Sequence, residues 1–181
     1  MQVRERLNNI LLDDNVCKKI SDNFGFIIVN IPEIISMLGF EHKHPHHHLD
    51  VYKHTLRALE ESPKDLIIRM ALLFHDIGKP FSCQEKDGIR HFRGHPGVSA
   101  SMTQVILERL NYDEKFISDV VYLVKMHDDI IRVNNLDNDL DLVKKRLEMQ
   151  FCDAKAHHPD KIEKRLKLLN EIKEKLYKEE R

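Results

Sequence analysis

His54, His75, Asp76, His95, His127 and Asp153 are far apart in the chain, yet helical periodicity turns each of them inward. His54 has Val51 and Ala58 as its one-turn neighbours. His75 and Asp76 close an apolar run that opens at Leu66 and is interrupted only by Arg69. His95 sits at a helix start, between Gly94 and Pro96. His127 continues the stripe Phe116, Val120, Leu123 and Val124, and Asp153 lies one turn beyond Met149. Singly, each has an ordinary explanation: a core histidine satisfied by a hydrogen bond, or an aspartate acting as a cap or ion-pair partner. Together, four inward histidines and two inward carboxylates exceed what buried donors can satisfy. One or two divalent cations would satisfy them all, and imidazole nitrogen with carboxylate oxygen suits Mn, Fe, Co, Ni or Zn rather than calcium.

The elements that must position these groups read as helices. Residues 2–12 place Val3, Leu7, Ile10 and Leu11 on one face, and Asp13-Asp14-Asn15 is a turn and N-cap signal. A second helix spans 16–28, with its end left ambiguous by Ile27-Ile28-Val29. Pro32 opens a third, Glu33 to Leu38, closed by Gly39. The loop Glu41 to Leu49 carries a histidine cluster, His42 to His48; its role stays open, between a solvated polar loop and one histidine facing the site. Asp50 caps a helix over 51–60, and the buried helix follows over 64–77, stopped by Gly78 and Pro80. Residues 81–93 form a polar loop or a small hairpin around Asp87-Gly88. Helices follow from Gly94-His95-Pro96, over 113–128 and over 140–157, with an Asn/Asp-rich loop at 134–139. The last helix starts at Pro159 and carries the stripe Ile162, Leu166, Leu169, Ile172 and Leu176, read as a face docked on the domain; a homodimer through that helix stays open. The fold class is all-α: one helical bundle over 1–181, with its core at about 46–155 around a buried metal site, helices 2–38 and 159–178 being packed on that core.

Composition narrows the function. The 181 residues carry 29 basic and 30 acidic side chains, a formal net charge of -1, which gives no broad electrostatic footprint for nucleic acid and leaves only a local basic patch open. No stretch reaches the roughly 18–20 apolar residues of a membrane span, so no membrane partner is expected. Cys17, Cys83 and Cys152 show no metal-type spacing and look structural. With a charged N-terminus in place of a signal peptide, they point to the cytoplasm.

The order His54, His75-Asp76, Asp153 resembles the H…HD…D signature of the HD superfamily of metal-dependent phosphohydrolases, and His95 and His127 resemble the extra pair of its two-metal members. The stretches Asp50 to Thr55, Leu73 to Lys79 and Phe92 to His95 with Ser99-Ala100 are similar to the HD domain of bacterial CCA-adding tRNA nucleotidyltransferases. The likeness covers about residues 46–155. It implies that His54, His75, Asp76 and Asp153 hold a first metal, and that Asp76 bridges to a second held by His95 and His127. Two cations about 3.5–4 Å apart share an oxygen, acidify it and clamp phosphoryl oxygens, so that hydroxide attacks phosphorus in line. Asp76 and Lys79 are then the catalytic candidates. Lys79 is the first choice for phosphate contact and Arg93 the second, with a solvated cation as the competing reading of each, and Asp128 orients a ligand or water.

Residues 1–45 contain no Gly-Ser-type loop or paired acids on a strand, so the expectation is a free-standing HD domain and nucleotide addition is not inferred. The implied activity is hydrolysis of a phosphomonoester or a cyclic phosphodiester, on a small phosphorylated substrate such as a nucleotide or an RNA end. The alternatives are a mixed-valent di-iron oxygenase on the same ligands and a non-enzymatic nucleotide- or RNA-binding module.

Overall fold

The computed structural model describes residues 2–43, 49–134, 136 and 139–178, with 159–161 by backbone alone. Five helix starts carry a side-chain cap. Asn15, Asp50, Asp65, Asp113 and Asp139 each accept a backbone N–H from the residue three positions on, satisfying a donor that the first turn leaves free. The resulting order is α1 (Val3–Leu11), α2 (Val16–Asp22), α3 (Phe24–Asn30), a 3-10 turn (Pro32–Met37), α4 (Val51–Glu60), α5 (Leu66–Phe74), α6 (Lys79–Ser82), β1 (Gln84–Lys86), β2 (Ile89–His91), α7 (His95–Arg109), α8 (Glu114–Lys125), α9 (Leu140–Lys155) and α10 (Pro159–Lys178). The fold is all-α, with one two-stranded hairpin.

Helix α5 is the centre. Ile68 through Phe74 are all buried, and the helix packs against α1, α4, α7, α8 and α9. Arg69, the only break in its apolar run, is spent inside: its guanidinium donates to the carbonyls of Leu11 (2.6 Å) and Asp13 (2.8 Å) at the end of α1, and to Ser62 Oγ (3.1 Å). A second buried cluster joins α9 to α10 through Val143, Leu147, Ala154, Leu169, Ile172 and Leu176. The apolar stripe of α10 is therefore occupied within the chain, and a homodimer through this helix would have to use another of its faces. Among the described residues no helix is long and apolar enough to cross a membrane.

Three local expectations are corrected, and one left open is decided. The helix read over 16–28 is two, because Asn23 Nδ2 donates to the Lys19 carbonyl (3.0 Å) and its Oδ1 accepts from Arg6 (2.9 Å), drawing the backbone out of the helical ladder. The segment after Pro32 is a 3-10 turn, with Ser36 Oγ donating to the Glu33 carbonyl at 2.8 Å. Between the alternatives left for 81–93, the hairpin forms, and Asp87 and Gly88 take the two positive φ angles, 52° and 76°, of a two-residue turn. Pro80 does not stop the buried helix: α5 ends at Phe74, and Pro80 lies in the first turn of α6, where its missing N–H costs nothing.

Gly78 has a packing reason rather than a conformational one. A Cβ there would lie 2.6 Å from Ser99 N and 2.8 Å from Ser99 Oγ, because α6 presses against the start of α7 and Gly78 N–H donates to Ser99 Oγ at 2.9 Å. Gly78→Ala is expected to cost about 1–3 kcal/mol of overpacking in urea unfolding. A loss below about 0.5 kcal/mol would show that α6 and α7 are free to separate.

Candidate metal centre

The six residues come together where α4, α5, α7, α8 and α9 meet. His54 projects from the first half of α4, and His75 and Asp76 follow the last turn of α5. His95 is the first residue of α7, His127 stands two residues past α8, and Asp153 is near the end of α9. His54, His75, Asp76 and His127 are 0–2 % exposed, Asp153 5 % and His95 7 %, so burial leaves them no bulk water to rely on.

Each of the four rings is anchored through Nδ1 to a backbone carbonyl: His54 to Ala156 (3.2 Å), His75 to Leu72 (2.7 Å), His95 to Phe92 (2.9 Å) and His127 to Val124 (2.7 Å). A carbonyl only accepts, so Nδ1 carries a hydrogen, and in the neutral form of each ring Nε2 is the nitrogen whose lone pair faces the centre. Those Nε2 atoms surround Asp76. Its Oδ2 lies 3.4 Å from His75 and 3.7 Å from His54; its Oδ1 lies 3.3 Å from His95 and 3.8 Å from His127. Asp153 Oδ1 is 2.8 Å from His54 Nε2 and 3.4 Å from His75 Nε2.

This donor set fits a cation. His75 Nε2 and Asp76 Oδ1 are buried without a hydrogen-bond partner among the described residues. His95 and His127 point Nε2 at each other across 3.2 Å, and with both rings neutral and anchored through Nδ1 neither has a hydrogen to give. The ligand atoms of His54, His75 and Asp76 all lie within 4.8 Å of one another, and so do those of Asp76, His95 and His127. Asp76 belongs to both groups, one oxygen to each.

Electrostatics follow from this crowding. Burial alone would lower the His75 pKa, but the Asp76 and Asp153 carboxylates outweigh it and hold the ring up to about 9. Burial prevails at His54, pushed down to about 4 despite Asp153, and it also lowers His127. Asp76 and Asp153 are held well below the usual carboxylate range: burial works against this, and His75 and Lys79 outweigh it at Asp76, as His157 and His54 do at Asp153.

The remaining sequence candidates fall in distinct places. Lys79 is buried, donates to Asp76 Oδ2 at 2.7 Å and has His42 Nε2 at 3.1 Å. Arg93 is exposed and, with Lys79 and Arg90, lines a groove of ≈ 440 Å³ that opens onto Asp76, His95 and His127. The Asp128 side chain is 52 % exposed, and its carboxylate lies 3.5 Å from His95 Nε2 and 3.6 Å from His127 Nε2, on the Nε2 side of both rings. The rings are oriented by carbonyls instead.

Several contributors were not legible beforehand. Among the described residues of the histidine cluster, His42 is brought in: buried, anchored to the Leu49 carbonyl at 2.9 Å and facing Lys79. His44, His46, His47 and His48 lie outside the described residues. His157 presents its Nε2 side through an Nδ1 anchor on the Asp153 carbonyl (2.9 Å) and groups with His54 and Asp153. Arg146 and Gln150 are buried on α9 and donate to the Met126, His127 and Asp129 carbonyls, which holds the turn carrying His127. A polar i, i+4, i+7 row of Arg146, Gln150 and Asp153 was the available signal.

Residues 46–180 match the HD domain family, and the chain belongs to it. It is 33% identical over 135 residues to an A-adding tRNA nucleotidyltransferase of Deinococcus radiodurans, covering 70% of this chain and 31% of that protein. It is 31% identical over 139 residues to a CC-adding tRNA nucleotidyltransferase of Thermus thermophilus, covering 71% and 31%. To a multifunctional CCA protein of Legionella pneumophila it is 30% identical over 112 residues, covering 60% and 27%. The chain thus spans about a third of the length of these curated relatives.

Metal uptake should displace the proton that Asp76 and Asp153 hold on His75. The apparent affinity for Mn²⁺ is therefore expected to rise with pH up to about 9, by as much as roughly tenfold per unit for each proton released, and then to level off. Calorimetry in two buffers of different ionisation enthalpy counts the protons; zero release with a flat affinity between about pH 6 and 8 would remove His75 from the ligand set. In chelator the sign reverses. The folded-state pKa is raised from 6.5 to about 9, so the stability this proton adds is complete below the lower value and lost as pH rises through the higher one.

Proposed function

We propose that the protein is a metal-dependent phosphohydrolase that cleaves a phosphomonoester or a phosphodiester, on a nucleotide or an RNA end. The observation that carries the reading is Asp76, a fully buried carboxylate whose two oxygens face two separate histidine pairs with Nδ1-anchored rings. His54, His75, Asp76 and Asp153 would hold one divalent transition metal, and Asp76, His95 and His127 a second. Bound there, such ions supply Lewis acidity toward a phosphoryl oxygen and a nucleophilic water at neutral pH.

The chain's own residues supply the rest. The carbonyl anchors fix the rings before any ion arrives, so little reorganisation accompanies binding. Lys79 uses one N–H on Asp76 and one on His42; its third donor is left for a phosphate oxygen in the groove it lines. Arg93 adds positive charge to the lining of that groove, and Arg90 lines it while paired with Glu85 at 3.1 Å. Asp128, on the open side of His95 and His127, can accept a proton from an entering water or complete the second ligand set. The nucleotide or RNA-end substrate draws support from the relatives' names, which are those of tRNA nucleotidyltransferases; their adding activity is not proposed for this chain.

With added Mn, Co or Ni the purified protein is expected to hydrolyse a generic aryl phosphate or phosphodiester. Asp76→Ala should abolish this while the far-ultraviolet spectrum stays helical, and full activity in that variant would sink the site. Lys79→Met should lower kcat/KM by roughly 10²–10³, as for loss of a charge-stabilising donor. Two iron atoms per chain as purified, with substrate-dependent O₂ consumption and no hydrolysis, would instead establish the oxygenase reading.

A further inference from the structure

The groove over the metal centre does not end at Asp153. Asp128, Asp153 and His157 also form one end of a second groove, of ≈ 680 Å³, that runs onto α10. Ala154 and Leu168 give this groove an apolar floor, and Lys164, Arg165 and Lys167 line its side, with Glu171 beyond them. Lys164, Lys167, Leu168 and Glu171 share one helix face by their i, i+3, i+4 and i+7 spacing. Lys164 and Lys167 are exposed, and none of the three cations makes an ion pair among the described residues. Lys173, also on α10 and outside the groove, is by contrast paired with Glu148 at 3.8 Å and stands over the Phe151 ring. Three cations with no ion pair among the described residues thus line the groove beside the site, opposite Asp128 and Asp153 at its shared end.

We propose that this second groove binds the nucleotide adjoining the reacting phosphate, so that the substrate is a single-stranded oligonucleotide rather than a mononucleotide. The inference rests on the phosphohydrolase reading for what lies in the first groove. The base or ribose covers Ala154 and Leu168, and the next phosphodiester lies against Lys164, Arg165 and Lys167. The acids at the shared end, Asp128 and Asp153, belong to the metal centre, and Glu171 opposes the strand at the outer end. A local cluster of this kind serves a short strand and not a duplex, which the balanced overall charge would not attract.

The test is fluorescence anisotropy of a phosphorothioate-linked, fluorescein-labelled oligoadenylate with the full chain in Mn²⁺. Lys164→Ala/Lys167→Ala is expected to weaken binding roughly tenfold and to make the salt dependence shallower by about 1 in log–log slope. Glu171→Gln is expected to tighten binding, and Lys18→Ala/Lys115→Ala, on distant surfaces, to change neither quantity. An unchanged affinity and slope in the Lys164/Lys167 variant would overturn the proposal, as would labelled AMP binding the wild-type chain as tightly as the oligoadenylate. The readout needs no turnover. Absence of aryl phosphate hydrolysis therefore removes the phosphohydrolase reading by itself, and unchanged anisotropy removes only the second groove.

Discussion

A carboxylate with no access to water, Asp76, is the constraint on which the rest depends. Leaving a buried charge uncompensated costs several kcal/mol, so its neighbours have to be cationic, or bind cations. Lys79 supplies one direct partner at 2.7 Å, and the imidazoles of His42, His54, His75, His95 and His127 stand 3.3–3.9 Å around it. Placing that group at the end of α5 also explains why α5 is apolar around its circumference: a helix at the middle of the bundle is covered on every side.

The same helix ends that stop the elements also build the site. The last carbonyls of a helix lack an intrahelical partner, and the structure uses several of them as acceptors for Nδ1. His75 and His127 each reach the carbonyl three residues back, at the ends of α5 and α8. His54 uses Ala156 and His157 uses Asp153, both at the end of α9. At His54, His75 and His127 one hydrogen bond therefore satisfies an orphan carbonyl and selects the tautomer that turns Nε2 inward, while the Asp153 carbonyl also accepts the Ala156 N–H. At these positions helix termination and construction of the site are one device, while His54 projects from within α4.

Helix α10 connects fold and function in a second way. Its apolar stripe is consumed against α9, so its remaining faces are free to shape the groove that begins at Asp153. The tRNA nucleotidyltransferases that resemble this chain do so over about a third of their own length. What the chain shares with them is the HD unit, and its chemistry must be argued from that unit's own side chains.

The inward positions of His54, His127 and Asp153 were legible in the sequence because helical spacing carries burial with it, through stripe neighbours such as Val51, Val120 and Met149, and those of His75, Asp76 and His95 because they close or open a helix. The all-α class was legible for the same reason, and the family through the order His54, His75-Asp76, Asp153 and the motifs around it. His42, His157, Arg146 and Gln150 were not. His42 is in a loop without periodicity, and its role depends on a Lys79 contact made across 37 residues of chain. Gln150 acts on a turn 23 residues away. Local pattern decides which face a side chain takes. Which of Asp76's oxygens meets which imidazole, and which groove Lys164 and Lys167 line, were decided only when the helices packed, because those distances are set by interhelical contacts that no local stretch encodes.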